Sequence, residues 1–316
     1  MRCSFCAQLA LAVIVWTGSG CARTRARSQA AWPRYTLVAD QTWRLNLPEN
    51  KPFGASGLLL RPSHELLVVN DRQPQLYRVE FRAHSESADL VPLTNCYTPA
   101  QLAPLAAEKS RPFDCEGVAA DESARIYVCE EGDRWVLRFD PRTQKVERLK
   151  IDWSPVQRYF SRADPNASFE GIAVGKGRLY VANERNEGRI IVVDLESLRV
   201  IDDFVVHSSV WSLWAPHYSD LCWHGNALYV LMREEHVVLQ VDPRSHRVLA
   251  EYDFRGIEFG VENQYHLLFP FIGVMEGLAV DESGIWLVTD NNGLGRAKHP
   301  DDTRPTLFRC RRPDAR

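Results

Sequence analysis

The chain has 316 residues, 45% hydrophobic and 25% charged, with a formal net charge of −3. This is globular composition, long enough to bury a large core. A near-neutral balance with no basic stripe among aromatics argues against nucleic acid as a partner.

The first twenty residues stand apart. Arg2 precedes the apolar run LALAVIVW, and small residues lead to Cys21 in TGSGC. An apolar core this short after a positive charge reads as a secretory signal, because it cannot span a bilayer. GSGC is similar to a bacterial lipobox, although Gly18 stands where such boxes usually carry Leu. The expectation is export, as a periplasmic or outer-membrane lipoprotein anchored at Cys21, with simple secretion as the alternative. Membrane contact would come only through that lipid, since no second apolar segment is long enough to cross. Cys3 and Cys6 would leave with the signal and Cys21 would carry lipid, so five cysteines remain, without zinc spacing. In an oxidising compartment Cys96 and Cys115 form the preferred disulfide, across the base of a long loop. Cys222 and Cys310, within strand-like runs, read as buried thiols.

After a tether at 21–34, one phrase recurs. Five units begin SGLLL (56–60), EGVAA (116–120), EGIAV (170–174), DLCWH (220–224) and EGLAV (276–280). A short turn and a second strand follow each, as in LLVVND, IYVCEE, LYVANE, LYVLMRE and IWLVTD. Third strands come next, and three units continue into a turn and a fourth strand. Short β-rich runs bounded by Asp, Pro, Gly and Ser are hairpins. Four-stranded units every 50–60 residues predict an all-β fold, a single β-propeller domain over 35–316. Five blades are expected, with six as the alternative. The last unit lacks a fourth strand, and QTWRLNL (41–47) is expected to supply it and close the ring.

First strands line a propeller channel, and antiparallel pairing returns the end of the second strand to the same mouth. Ser56, Glu116, Glu170, Asp220 and Glu276 are therefore expected to ring that mouth. Asn70, Glu130, Glu184, Glu234 and Asp290 follow fourteen residues later, with Asp71, Glu131, Arg185, Glu235 and Asn291 beside them. So many carboxylates cannot all ionise without protonation, Arg pairing or a hard cation. Calcium suits carboxylates, amides and water, and Glu116, Glu170, Glu276, Asp290 and Asn291 are its expected ligands. The competing reading is that the acids only cap strand ends. Arg72, Arg185 and Arg233 follow second strands and could bind an anionic substrate or neutralise the acids. Glu130 and Glu184 are the candidate general bases. Long aromatic connections between blades mark this face as the ligand face.

The segments CEGVAADESARIYVCEEGDR, FEGIAVGKGRLYVANER and MEGLAVDESGIWLVTDNN resemble the phytase-like propeller family, described as esterase-like activity of phytase. The likeness runs over most of residues 50–310. Gluconolactonase-like propellers share the first-strand acid and a central calcium but match less well in the second strand. The resemblance implies a metal-binding propeller that hydrolyses a phosphate or carboxylic ester. No GxSxG, HExxH or P-loop occurs, so metal-assisted hydrolysis is the economical chemistry. The alternative is a monomeric cell-envelope propeller that binds a ligand or protein, with calcium purely structural.

Overall fold

Runs such as LYVAN and IIVV are β-branched or aromatic and flanked by Gly, Asp and Pro turns, the pattern of buried hairpin strands. The computed structural model describes residues 31–48, 51–161, 164, 167–186, 188–212, 216–265 and 273–314. The signal segment, Cys21, most of the tether, Trp214, Phe269 and Phe271 lie outside these residues.

Two strands precede the first blade, β1 (Arg34–Thr36) and β2 (Ala39–Asn46). Blade 1 is β3 (Ala55–Leu60), β4 (Leu66–Asn70), β5 (Gln73–Phe81) and β6 (Ser87–Pro92). Blade 2 is β7 (Cys115–Ala120), β8 (Ile126–Glu130), β9 (Trp135–Asp140) and β10 (Lys145–Arg148). Blade 3 is β11 (Phe169–Gly175), β12 (Arg178–Asn183), β13 (Arg189–Asp194) and β14 (Arg199–Phe204). Blade 4 is β15 (Tyr218–His224), β16 (Ala227–Met232), β17 (Val237–Val241) and β18 (Val248–Asp253). Blade 5 has only β19 (Met275–Val280), β20 (Gly284–Thr289) and β21 (Thr306–Arg311) of its own.

The fourth strand of blade 5 is β2, antiparallel to β21 with Thr42 opposite Phe308. The protein is thus a five-bladed β-propeller closed by its N-terminal strand, as the sequence pattern predicts. Two further pairings reinforce the closure. The end of β2 runs parallel to β6, Arg44–Asn46 against Ser87–Asp89, joining the outer edges of blades 5 and 1. Outside blade 4, β1 adds in parallel to β18.

The first strands pack around the axis in the order β3, β7, β11, β15, β19 and back to β3. Five buried apolar clusters fill the seams, one between each neighbouring pair of blades. The glycine of the repeated phrase is what allows the close approach. A Cβ on Gly171 would lie 2.4 Å from Asp220 Cα, and one on Gly277 would lie 2.5 Å from the Ser56 carbonyl oxygen. Only a residue without a side chain fits there.

The long connections carry two short helices, α1 (Pro99–Ala106) and α2 (Arg255–Glu258). Thr98 and Gln101 form a capping box at the start of α1. Most described loop aromatics pack against the blades. Trp153 meets Phe169 at 4.9 Å between ring centres, and Phe160 and Tyr159 join the same cluster. Trp211 is the exception, 82% exposed. The expected Cys96–Cys115 disulfide is not formed. Both are separate buried thiols in the seam between blades 1 and 2, where burial pushes the Cys96 thiol up to about 11.

Candidate functional site

The mouth is built from two rings. Strand pairing places Ala55, Cys115, Phe169, Tyr218 and Met275 as equivalents, opposite Asn70, Glu130, Asn183, Met232 and Thr289. The residue following each belongs to a ring. The first ring is Ser56, Glu116, Glu170, Ser219 and Glu276. The second is Asp71, Glu131, Glu184, Arg233 and Asp290, and each of its amides donates to a carbonyl just before the first strand. Glu131 N donates to Asp114 O at 2.8 Å, and Glu184 N to Ser168 O at 2.8 Å.

This register corrects the sequence alignment by one residue at several places. In blade 4 Ser219, not Asp220, holds the first-ring position. Asp220 takes the glycine position and turns inward, where it is fully buried. Its carboxylate accepts from Leu221 N at 2.8 Å and Leu278 N at 2.7 Å. Burial pushes its carboxyl well up, against the pull of those amides and that of Leu58. Asp220 ties first strands together beneath the mouth.

Glu130 is also withdrawn from the mouth. It is fully buried and bound to Lys109 Nζ at 2.5 Å. Gly132 N and Asp133 N each donate to it at 3.0 Å. Lys109 in turn reaches Asp133 at 2.9 Å and stacks over Phe113 and Trp135. Every Glu130 oxygen is spoken for by structure, so the geometry gives no opening for general-base work there. Glu131, one residue on, faces the mouth instead.

Two groups of carboxylates lie close enough to share an ion. Asp114, Glu116 and Glu131 have oxygens within 4.8 Å of one another, as do Glu131, Glu170 and Glu184. Glu131 belongs to both. It is 7% exposed, and its Oε1 has no hydrogen-bond partner. Burial, then the charges of Asp114 and Glu184, push its carboxyl up to about 8. Burial and neighbouring acids also push Glu116 and Glu170 well above the usual carboxylate range. Hydration has been removed, and no equal charge has replaced it. A crowded set of acidic oxygens with an orphan at its centre fits a hard divalent cation.

Glu184 is the contrast. Burial would raise its carboxyl, but His217, Arg233 and Arg185 outweigh that and lower it. It contacts His217 Nε2 and Arg185 Nη1 and accepts from Arg233 Nη2 at 3.1 Å. Arg233 also binds Glu276, and its Nη2 lies 2.8 Å from His217 Nε2. Arg185 is shared with Asp164 at 3.2 Å. Burial holds His217 below its ordinary range. Arg72 sits outside this network, its side chain 74% exposed and 3.8 Å from Asp71.

Of the expected metal ligands, Glu116 and Glu170 lie in the clustered groups. Glu276 is engaged by Arg233. Asp290 accepts from Asn292 N at 2.8 Å, and burial pushes its carboxyl up to about 6. Asn291 donates to Thr303 O at 3.0 Å, which aims its amide into the 291–305 connection. Of these three only Glu276 is bound by Arg233, and Asp290 is raised further by the charge of Asp71. Asp114 was missed by the sequence reading, although the spacing DCE, an acid two residues before Glu116 on an extended strand, carried the signal.

The model of the phytase-like family, described as esterase-like activity of phytase, matches residues 52–293. Among curated proteins none matches the sequence. Among solved structures, Myxococcus xanthus glutaminyl cyclase is similar with a TM-score of 0.58 at 14% identity, over 89% of this chain and 97% of that one. A Streptomyces coelicolor aldose sugar dehydrogenase reaches a TM-score of 0.46 at 13% identity, over 86% of this chain and 98% of its own. At such identities the first likeness is one of fold.

Proposed function

The chain belongs to the phytase-like family described as esterase-like activity of phytase, and on that footing we propose an exported, calcium-dependent hydrolase of phosphate or carboxylic esters. The observation that carries this reading is the pair of overlapping carboxylate groups centred on Glu131. Asp114, Glu116, Glu131 and Glu170 would hold the cation, and asparagine and water would complete its oxygen shell. When bound, calcium would supply a Lewis acid for an ester oxygen and lower the pKa of a coordinated water.

The remaining chemistry belongs to the side chains. Arg233 and Arg185 put positive charge beside the acids, where an anionic ester oxygen can be oriented. Glu184, kept ionised by those arginines and His217, is the group able to accept a proton from a nucleophilic water. The substrate is a small ester or phosphate, the protein acts as a monomer, and the lipid on Cys21 supplies its membrane contact.

The test is a panel of phosphomonoesters, phosphodiesters, aryl esters and lactones, run with calcium and then with EDTA. Chelator-sensitive turnover of one class is the expected result. A calcium-loaded protein inert towards every class would sink the enzyme reading in favour of a ligand-binding propeller.

A further inference from the structure

On the face that carries the acid rings, the end of β2, residues 51–53 and the 296–305 connection wall a cavity of about 840 Å³. Arg296, Lys298, His299 and Arg304 line it together with two acids, Asp301 and Asp302. Asp302 is already committed. It accepts from Arg304 Nε at 2.7 Å and Nη2 at 2.8 Å, and also from Arg296 Nη2. Behind the same wall Arg44 donates to Thr306 Oγ1 at 2.6 Å and to Glu262 O and Asn263 Oδ1 at 3.3 Å. Among the described residues no carboxylate hydrogen-bonds Arg44, so three neighbouring guanidiniums share one acid.

That excess is unusual in a chain whose net charge is −3. Arg296 is only 7% exposed, and its Nε has no hydrogen-bond partner. Burial and then the charge of Arg296 lower the Arg44 guanidinium, a sign that the two cations press on each other. Glu262, which takes Lys298 at 2.5 Å, is 62% exposed and offsets little of this charge through solvent.

We infer that this cavity is an oxyanion site that takes a phosphate group, either free or on a small molecule. Of the five N–H donors of Arg304, three go to Asp302 and Asn46, which leaves two for a phosphate oxygen, and a tetrahedral dianion would add the negative charge that this cluster of arginines lacks. Lys298 and His299 are 49% and 56% exposed in their side chains and can close over an entering group. The volume suits a small phosphorylated molecule. The connection that builds the cavity begins at Asp290 of the acid ring, and Asn291 fastens it through Thr303 O at 3.0 Å. The site does not require the acid rings to be catalytic.

Titration calorimetry on the full chain with inorganic phosphate and with glycerol 2-phosphate tests this. Saturable binding is expected, weakening with added sodium chloride as charge is screened. Arg304→Gln should weaken it about tenfold, the worth of one charge-assisted hydrogen bond. Arg304 also holds Asp302 and Asn46, so the exposed Lys298→Ala provides a variant that leaves the fold alone and should weaken binding in the same direction. Glu116→Gln at the mouth should leave it unchanged. Equal affinity for both probes assigns the site to free phosphate, and tighter glycerol 2-phosphate assigns it to a phosphorylated molecule. No saturable binding, or binding that survives both cavity variants, or binding lost equally in Glu116→Gln, overturns the inference.

Discussion

Glu131→Gln separates a cation ligand from a strand cap, because the two roles give opposite signs. The carboxyl of Glu131 rises from 4.5 to about 8, chiefly through burial. A folded-state pKa above the unfolded one means that the native protein holds that proton more tightly. The resulting stability is fully present below about 4.5 and is lost as pH rises through about 8. A change of this size corresponds to at most about 5 kcal/mol. Glu131 shares its protons with Asp114, Glu184 and other nearby acids, which leaves about 2 kcal/mol as its own part. Glutamine cannot ionise. Without metal, Glu131→Gln should therefore melt about 4 °C above the parent at pH 9 and close to it at pH 5. Calcium should invert the order. At a hundred times its dissociation constant a ligand stabilises by about 2.7 kcal/mol, and the variant should lose most of that gain. The assay is a set of melting curves at pH 5 and pH 9, in EDTA and in saturating calcium. An equal calcium shift in both proteins refutes the reasoning, as does a variant that melts below the parent at pH 9 in EDTA.

Other perturbations test neighbouring residues and the N-terminal anchor. Asp220→Asn sets an amide NH₂ against one of the N–H groups that the carboxylate now accepts, and should cost about 1–3 kcal/mol with no change in calcium response; an unaltered melting temperature would remove Asp220 from its clasping role. Glu130→Gln weakens the buried pair with Lys109 and should lower stability by about 2–3 kcal/mol, less than a full buried break because Asp133 remains. If that variant instead lost turnover while melting like the parent, Glu130 would be catalytic after all. Cys21→Ser should release the protein from the membrane fraction in soluble form, and identical fractionation of variant and parent would contradict lipid anchoring.

The frame of the molecule was legible because its signals are local and repeated. A period-two strand pattern, turn residues at fixed offsets and an invariant glycine within four of five units give the blades their number, and the missing strand after TLFRC points to β2. The face of the site was legible for the same reason, since hairpin geometry returns both strand ends to one mouth. The register at each strand end was not. β15 begins with a bulge between Tyr218 and Asp220, and β7 of blade 2 with one between Cys115 and Val118. A one-residue slip moves a side chain to the other side of the strand. That is why Ser219 and Asp220 exchange roles relative to the sequence reading, and why Glu131 rather than Glu130 faces the mouth. Pairings across long separations were equally hidden. Nothing near Lys109 in sequence announces its bond to Glu130, and nothing near Arg44 announces its place beside Arg296.

The slip in blade 4 bears on where a cation can go. With five alike blades, the second ring would carry five carboxylates at one narrow mouth, each raising the others. Blade 4 instead places Ser219 in the first ring and Arg233 in the second. Arg233 reaches one way to Glu184 and the other way to Glu276, which divides the mouth. On one side Glu276 is neutralised. On the other, Asp114, Glu116, Glu131 and Glu170 keep a surplus of negative charge that Glu184, occupied by its cations, does not relieve. A divalent ion gains most where desolvated acids lack partners, and that condition is met over blades 2 and 3. The departure of one blade from the repeat is therefore what turns a ring of strand-end acids into an off-centre site with a cation position and an arginine beside it.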